Sequence, residues 1–233
     1  MVELTLEGPG KNALSTAVLE GLLAQLDAAE GQPLLLTGAG DALSAGVNLK
    51  EIATLPPEGI AHFLTLLDQV VRRLYLWPAP TVVAVNGHAI AGGSVIACTF
   101  DLRIGTTDPR ARIGLNELAI GVRFPPAALA MLRARLPTQH VDRLLLAAEL
   151  HGPVEALRLG LLDELSDDVL TTARARLAAL AATPREPYAR TKEALRGATL
   201  DLPASALKVF EDEVVPSWSS PELRERLLRQ LKR

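Results

Sequence analysis

Ala91-Gly92-Gly93-Ser94 runs straight into Val95-Ile96-Ala97-Cys98. That order reads as the first turn of an apolar, buried helix whose free N–H groups face a preceding loop, and such groups can hold negative charge. The chemistry on offer is anion stabilisation by backbone. The same glycines also suit a helix packed tightly on a sheet with no ligand involved. Other reactive side chains offer less. Ser94 stands beside Gly93, but its surroundings are not Gly-x-Ser-x-Gly and no His or Asp partner can be assigned, which leaves it a small helix residue. His62, His88, His140 and His151 are far apart, without metal-ligand spacing, and the single cysteine, Cys98, offers no thiolate cluster. No metal is expected. His88 falls in the turn after a strand and could approach a ligand, although a satisfied turn histidine is the simpler account.

The elements that must position this stretch can be read outward from it. Thr81, Val82, Val83 and Val85 form a buried strand that breaks at Asn86-Gly87. An earlier segment repeats the order: strand Pro33 to Thr37, glycine loop Gly38-Ala39-Gly40-Asp41, then Leu43 to Glu51 turning toward a helix. Before it, Val2 to Glu7 alternates as a strand, and Ser15 caps a helix with Val18, Leu19, Leu22, Leu23 and Leu26 on one side. Pro56-Pro57 marks a surface loop, and Ile60 to Leu76 a long amphipathic helix stopped by Trp77-Pro78-Ala79-Pro80. Asp101 to Gly105 and Ala111 to Gly114 are short strand candidates, with Asn116-Glu117-Leu118 directly after the second. From Pro125 the strand signal nearly vanishes, apart from the short run Leu161 to Leu165. Helices dominate there: Ala127 to Leu136, Val141 to Ala148, Val154 to Leu159, Val169 to Ala182, Tyr188 to Arg196, Ala204 to Val215 and a strongly charged Pro221 to Lys232. The charges of that last helix read as a solvated face or a subunit contact. Strands separated by helices in the first half indicate a sheet with parallel crossovers.

Composition narrows the class. At 233 residues the chain suits one α/β domain with an appendage, and with 48% hydrophobic but only 3% aromatic residues its core must be aliphatic. A net charge of −3 supplies no global field for nucleic acid, so an anionic ligand must be met by local groups. One cysteine and an N-terminus, MVELTLEG, without a basic-then-apolar pattern point to a reducing cytoplasm. Thr81 to Phe100 is long enough to span a bilayer, but its central Asn-Gly turn, His88 and Gly-Gly pair do not make one helix, and no membrane is expected.

LSAGVNLKE at 43–51, VNGHAIAGGSVIACTFDLRI at 85–104 and IGLNELAIG at 113–121 resemble, in order and spacing, the three signatures of the crotonase family, the enoyl-CoA hydratases and isomerases. Weaker echoes are Lys11-Asn12-Ala13-Leu14, LLLTGAG at 34–40 and Ala189-Arg190-Thr191-Lys192. The resemblance implies an α/β, crotonase-like (ClpP/crotonase) ββα spiral core at 1–180 and a helical, oligomerising C-terminal region at 181–233. Members bind an acyl-CoA and hold a thioester enolate on two backbone N–H groups from different loops. By motif position these are Ala45 and Gly92, and Ala45, Gly46, Val47, Asn48, Leu49, Gly92 and Gly93 contact the substrate. Each donor contributes ~3 kcal/mol of transition-state stabilisation by analogy with other oxyanion holes.

Family hydratases carry two glutamates, one in the glycine-rich helix and one in the last signature. This chain has Val95 at the first position and Glu117 at the second. Adding water across a double bond moves protons at two carbons, for which two carboxylates are well suited; a double-bond shift needs one. Ala91-Gly92-Gly93 followed by Ile113-Gly114-Leu115-Asn116-Glu117 is the pattern of the family's 3,2-enoyl-CoA isomerases. The resemblance thus implies 3-enoyl to 2-enoyl isomerisation with Glu117 as acid/base, raised in pKa if Leu115, Leu118, Ile120 and Val122 desolvate it. The alternatives are hydration using Glu117 and a non-catalytic acyl-CoA-binding or partner subunit. No cofactor is expected, coenzyme A being part of the substrate, and the family assembles as a trimer or dimer of trimers. Asn48 stands where the family usually has Asp, beside the adenine-binding loop. Lys192 and Lys208 could reach coenzyme A phosphates, with solvated lysines the simpler reading.

Overall fold

Leu34–Gly38 (β2) and Thr81–Val85 (β4) are almost wholly buried, because helices cover both faces of the sheet they share. The computed structural model describes residues 1–231. Around these strands the chain runs β1 (Val2–Leu6), a broken helical turn α1 (Pro9–Asn12), α2 (Thr16–Ala28), β2, β3 (Ala42–Ser44), α3 (Leu49–Ile52), α4 (Pro57–Tyr75) and β4. Then come β5 (His88–Ile90), α5 (Gly92–Thr99), β6 (Leu102–Thr106), β7 (Ile113–Gly114), α6 (Glu117–Ile120), α7 (Pro126–Arg135), α8 (Thr138–Leu146), α9 (Pro153–Arg158) and β8 (Glu164–Ser166). The C-terminal part comprises α10 (Val169–Ala181), α11 (Arg185–Arg196), α12 (Ala204–Val209), a π-helical segment Phe210–Val214, α13 (Val215–Trp218) and α14 (Pro221–Gln230).

Two parallel sheets result, a five-stranded one ordered β1-β2-β4-β6-β8 and a three-stranded one ordered β3-β5-β7. Each turn of the chain contributes a strand to the first, a strand to the second and then a helix: β2-β3-α3, β4-β5-α5, β6-β7-α6. This ββα spiral is the expected fold class. Strand alternation divides the core. Leu35, Val82, Ala84 and Ile104 meet Val169, Ala173 and Leu177 of α10, whereas Leu34, Leu36, Val83 and Val85 face the larger core with α2 and α4. In α4, Ile60, Phe63, Leu64, Leu67, Val70, Val71 and Leu74 recur at helical spacing and are buried, each worth ~1.5–3 kcal/mol relative to exposure. Trp218, Leu223 and Leu227 of the C-terminal helices join the same core, the Trp218 ring 6.4 Å from that of Phe63.

The Ser15 cap forms as expected, its Oγ accepting from the Val18 N–H at 3.2 Å. Two expectations need correction. The sequence reading runs strand, glycine loop, helix; the structure inserts β3 and β5 between, and His88 opens β5 rather than lying in a turn, its Nδ1 accepting from the Arg112 N–H at 3.1 Å. Lys192 is not a solvated lysine. It is buried, and it pairs with Asp101 at 2.8 Å together with Arg196 at 2.8 Å, while the Tyr188 hydroxyl donates to the same carboxylate at 2.8 Å. That cluster ties α11 to the end of α5. Lys208 is exposed and pairs with Asp212 of the π-helical segment that continues α12. The expected extension of the last helix to Lys232 lies outside the described residues. No helix among the described residues is long and apolar enough to cross a membrane.

Candidate active site

The small sheet gathers the three motifs. β5 lies between β3 and β7, Ser44 pairing with Ala89 and Ile90 with Gly114, so all three parallel strands end on one edge. Beyond that edge come Ala45-Gly46-Val47, Ala91-Gly92 and Leu115-Asn116-Glu117. Neighbouring strands are ~4.8 Å apart, which brings residues far apart in sequence to within one side chain's reach. The Ala91 N–H donates to Gly114 O at 2.8 Å, extending the pairing to the first residue beyond β5. Ser94 locks the arrangement from behind: its Oγ donates to Ala89 O at 2.6 Å and accepts from the Gly114 N–H at 3.1 Å. A hydroxyl so engaged is a tie between strands, in keeping with its reading as a small helix residue.

Gly92 is the first residue of α5, and its N–H meets no acceptor among the described residues. The second expected donor is different. The Ala45 N–H already donates to Lys11 O at 2.8 Å and is not available to a ligand. Gly46, with φ of +88°, then turns the chain, and Leu14 pairs with the next stretch: its N–H donates to Gly46 O and its carbonyl accepts from the Asn48 N–H, both at 2.8 Å. In a parallel bridge of this kind the residue between the two contacts directs its own N–H to the opposite side. That residue is Val47, whose N–H makes no hydrogen bond among the described residues. The free pair is therefore Val47 and Gly92. A Cβ on Gly93 would lie 2.5 Å from Ser44 O, so neighbouring backbone excludes bulk there, whereas a Cβ on Gly92 would press on Leu14 Cδ1 at 3.0 Å and meet Val47 Cγ1 at an ordinary 3.6 Å. Asn48 caps α3, its Oδ1 accepting from the Glu51 N–H at 3.4 Å, and Leu49 begins that helix.

Glu117 opens α6 and is only 6% exposed. Burial pushes its carboxyl up from the ordinary 4.5 to about 8. Its Oε2 and the neighbouring Asn116 Oδ1 are the buried side-chain polar atoms without a hydrogen-bond partner among the described residues. A native structure seldom leaves such groups orphaned without a ligand or a catalytic use. Leu115, Ile120 and Val122, its neighbours in the chain, are themselves buried, whereas Leu118 is 43% exposed. Val95 is buried on the inner face of α5 in the aliphatic core. The arrangement offers two unoccupied N–H donors and one high-pKa carboxyl, which together can hold a developing oxyanion and move a proton. The Val47 donor escaped the sequence reading, although Val47 stood among the expected substrate contacts; only the turn at Gly46 reveals which N–H is free.

The enoyl-CoA hydratase/isomerase family profile matches residues 1–218. The chain is 30% identical over 221 residues to the human mitochondrial enoyl-CoA delta isomerase 1, covering 92% of this chain and 72% of that protein. It is 35% identical over 165 residues to a putative enoyl-CoA hydratase of Thermus thermophilus, covering 67% of this chain and 63% of that relative, less than two thirds of its length. Among solved structures it is similar to the human mitochondrial delta3-delta2-enoyl-CoA isomerase, with a TM-score of 0.87, 30% identity, and 97% and 90% of the two chains covered. A probable enoyl-CoA hydratase of Mycobacterium tuberculosis gives a TM-score of 0.81 at 27% identity, covering 97% and 95%.

Proposed function

The chain belongs to the enoyl-CoA hydratase/isomerase family, and on that premise we propose that it shifts the double bond of a 3-enoyl-CoA to the 2-position through a thioester enolate. Glu117, ionised, removes a proton from C2. The electron pair moves into the thioester carbonyl, and the resulting dienolate oxygen is held by the N–H groups of Val47 and Gly92. The same carboxyl, now protonated, returns the proton at C4, and the carbonyl re-forms with a C2–C3 double bond. Atoms and charge balance without a cofactor, coenzyme A being part of the substrate.

The observation that carries this reading is the combination of a buried Glu117 carboxyl, its Oε2 unpartnered, with an aliphatic Val95 where the family's hydratases hold their other glutamate. One carboxylate suffices to carry a proton between two carbons; water addition is better served by two. The apolar surroundings that raise the Glu117 pKa also make the ionised form a stronger base than an exposed glutamate. We read the working unit as a trimer or dimer of trimers in the cytoplasm. The exposed Leu118, Leu129 and Val209, which line one surface depression, support burial of this face in an assembly. Product analysis tests the reaction: 3-hexenoyl-CoA should become 2-hexenoyl-CoA, with crotonyl-CoA hydrated far more slowly, and the reverse preference would overturn the assignment.

A further inference from the structure

We propose that the enzyme prefers acyl groups carrying a carboxylate beyond the reacting double bond, held by Arg226 and Arg229 of α14; the proposal rests on the isomerase reading of the same site. A cavity of about 480 Å³ lies between α6 and α14, lined by Asn116, Ala119, Ile120, Arg226, Arg229 and Gln230. Asn116, Ala119 and Ile120 belong to the helical turn that Glu117 opens, so the cavity adjoins that turn, although Glu117 itself does not line it.

Its charged lining is wholly cationic, and Asn116 and Gln230 add amides. Arg226 and Arg229 each present a guanidinium fork, and no carboxylate lines the cavity. Both arginines have a glutamate four residues back, Glu222 and Glu225, in the orientation that favours an intrahelical ion pair. Neither pair forms, and neither arginine meets any carboxylate among the described residues. Arg226 instead lies across Gly121, at a point where a Cβ would collide with its guanidinium. On the facing wall stands Asn116, whose Oδ1 is buried and unpartnered. Two exposed arginines without a carboxylate partner line one space, which fits an anionic oxygen group. Residues Val47 to Lys50, beside the loop expected to meet adenine, take no part in the lining. The anion is accordingly assigned to the acyl end of the ligand.

The test compares 3-hexenoyl-CoA with 3-hexenedioyl-CoA, which carries a terminal carboxylate two carbons past C4. The native enzyme should show a KM about tenfold lower for the carboxylated substrate, a difference of ~1.4 kcal/mol. Replacing both arginines by glutamine (R226Q/R229Q) should erase that preference, and R226K/R229K should keep most of it. Equal KM values for the two substrates in the native enzyme would overturn the proposal. So would an equal loss for both in R226Q/R229Q, accompanied by weaker binding of coenzyme A but not of dephospho-coenzyme A, which would assign the arginines to a phosphate. If neither substrate turns over, the isomerase reading fails, and calorimetric titration with hexanoyl-CoA and 5-carboxypentanoyl-CoA still reads the carboxylate preference.

Discussion

Gly46 and Gly92 belong to different motifs yet almost touch: a Cβ on Gly46 would lie 3.5 Å from the Gly92 nitrogen and 2.8 Å from Ile90 O. The turn at Gly46, with φ of +88°, is what aims the following N–H, that of Val47, away from Leu14. Backbone conformation at one residue thus decides whether the two donors face a common space.

Replacing Gly46 with Ala should disturb both the conformation and the approach. A side chain at this φ is strained, and its Cβ has no room beside Ile90 O, so a loss of ~1–3 kcal/mol in stability is expected by urea unfolding. Activity should fall further than stability explains, because Val47 and Gly92 would no longer present their N–H groups together; removing one such donor costs ~10²–10³ in kcat elsewhere. Full activity in a folded Gly46→Ala variant would separate these glycines from catalysis.

The pH dependence follows from Glu117. Its folded pKa of about 8 lies above the ordinary 4.5, so the base form accumulates as pH rises, and kcat/KM should climb with pH and level off above about 8. Stability should move oppositely. The folded state binds the extra proton between the two pKa values, so unfolding free energy falls as pH rises through that window and the full penalty is present above about 8. Glu117→Gln, which cannot ionise, should melt a few degrees above the native protein at pH 9, with the advantage gone at pH 5. Melting temperatures that track each other across this range would contradict the buried, neutral carboxyl.

Val95→Glu places a second carboxyl where the family's hydratases carry one. Because Val95 is 4% exposed among aliphatic neighbours, the change should cost ~2–4 kcal/mol of stability. It should also raise the hydration of crotonyl-CoA relative to isomerisation of 3-hexenoyl-CoA, a ratio that chromatography of the products reads directly.

How much of this was legible in the sequence depended on the range of the interactions involved. The apolar row of α4, the Ser15 cap and the strand at Thr81–Val85 are set by near neighbours and stand as expected. The three-residue strands β3 and β5 are too short for alternation to show, and only their pairing with each other and with β7 makes them strands. Lys192 looked solvated because its partner, Asp101, lies 91 residues away. Motif position placed an N–H donor at Ala45, but the bond from that N–H to Lys11 O is a contact between distant loops. The isolation of Glu117 Oε2 and Asn116 Oδ1 likewise depends on what the fold leaves out of reach, which no local pattern records.

The central claim is that one carboxyl carries the proton from C2 to C4. Glu117→Gln keeps the shape and burial of the side chain and removes only the base. Single-turnover conversion of 3-hexenoyl-CoA should fall by ~10²–10⁴ in the variant, with the dissociation constant for hexanoyl-CoA essentially unchanged. Conversion by Glu117→Gln at near the native rate would contradict the account.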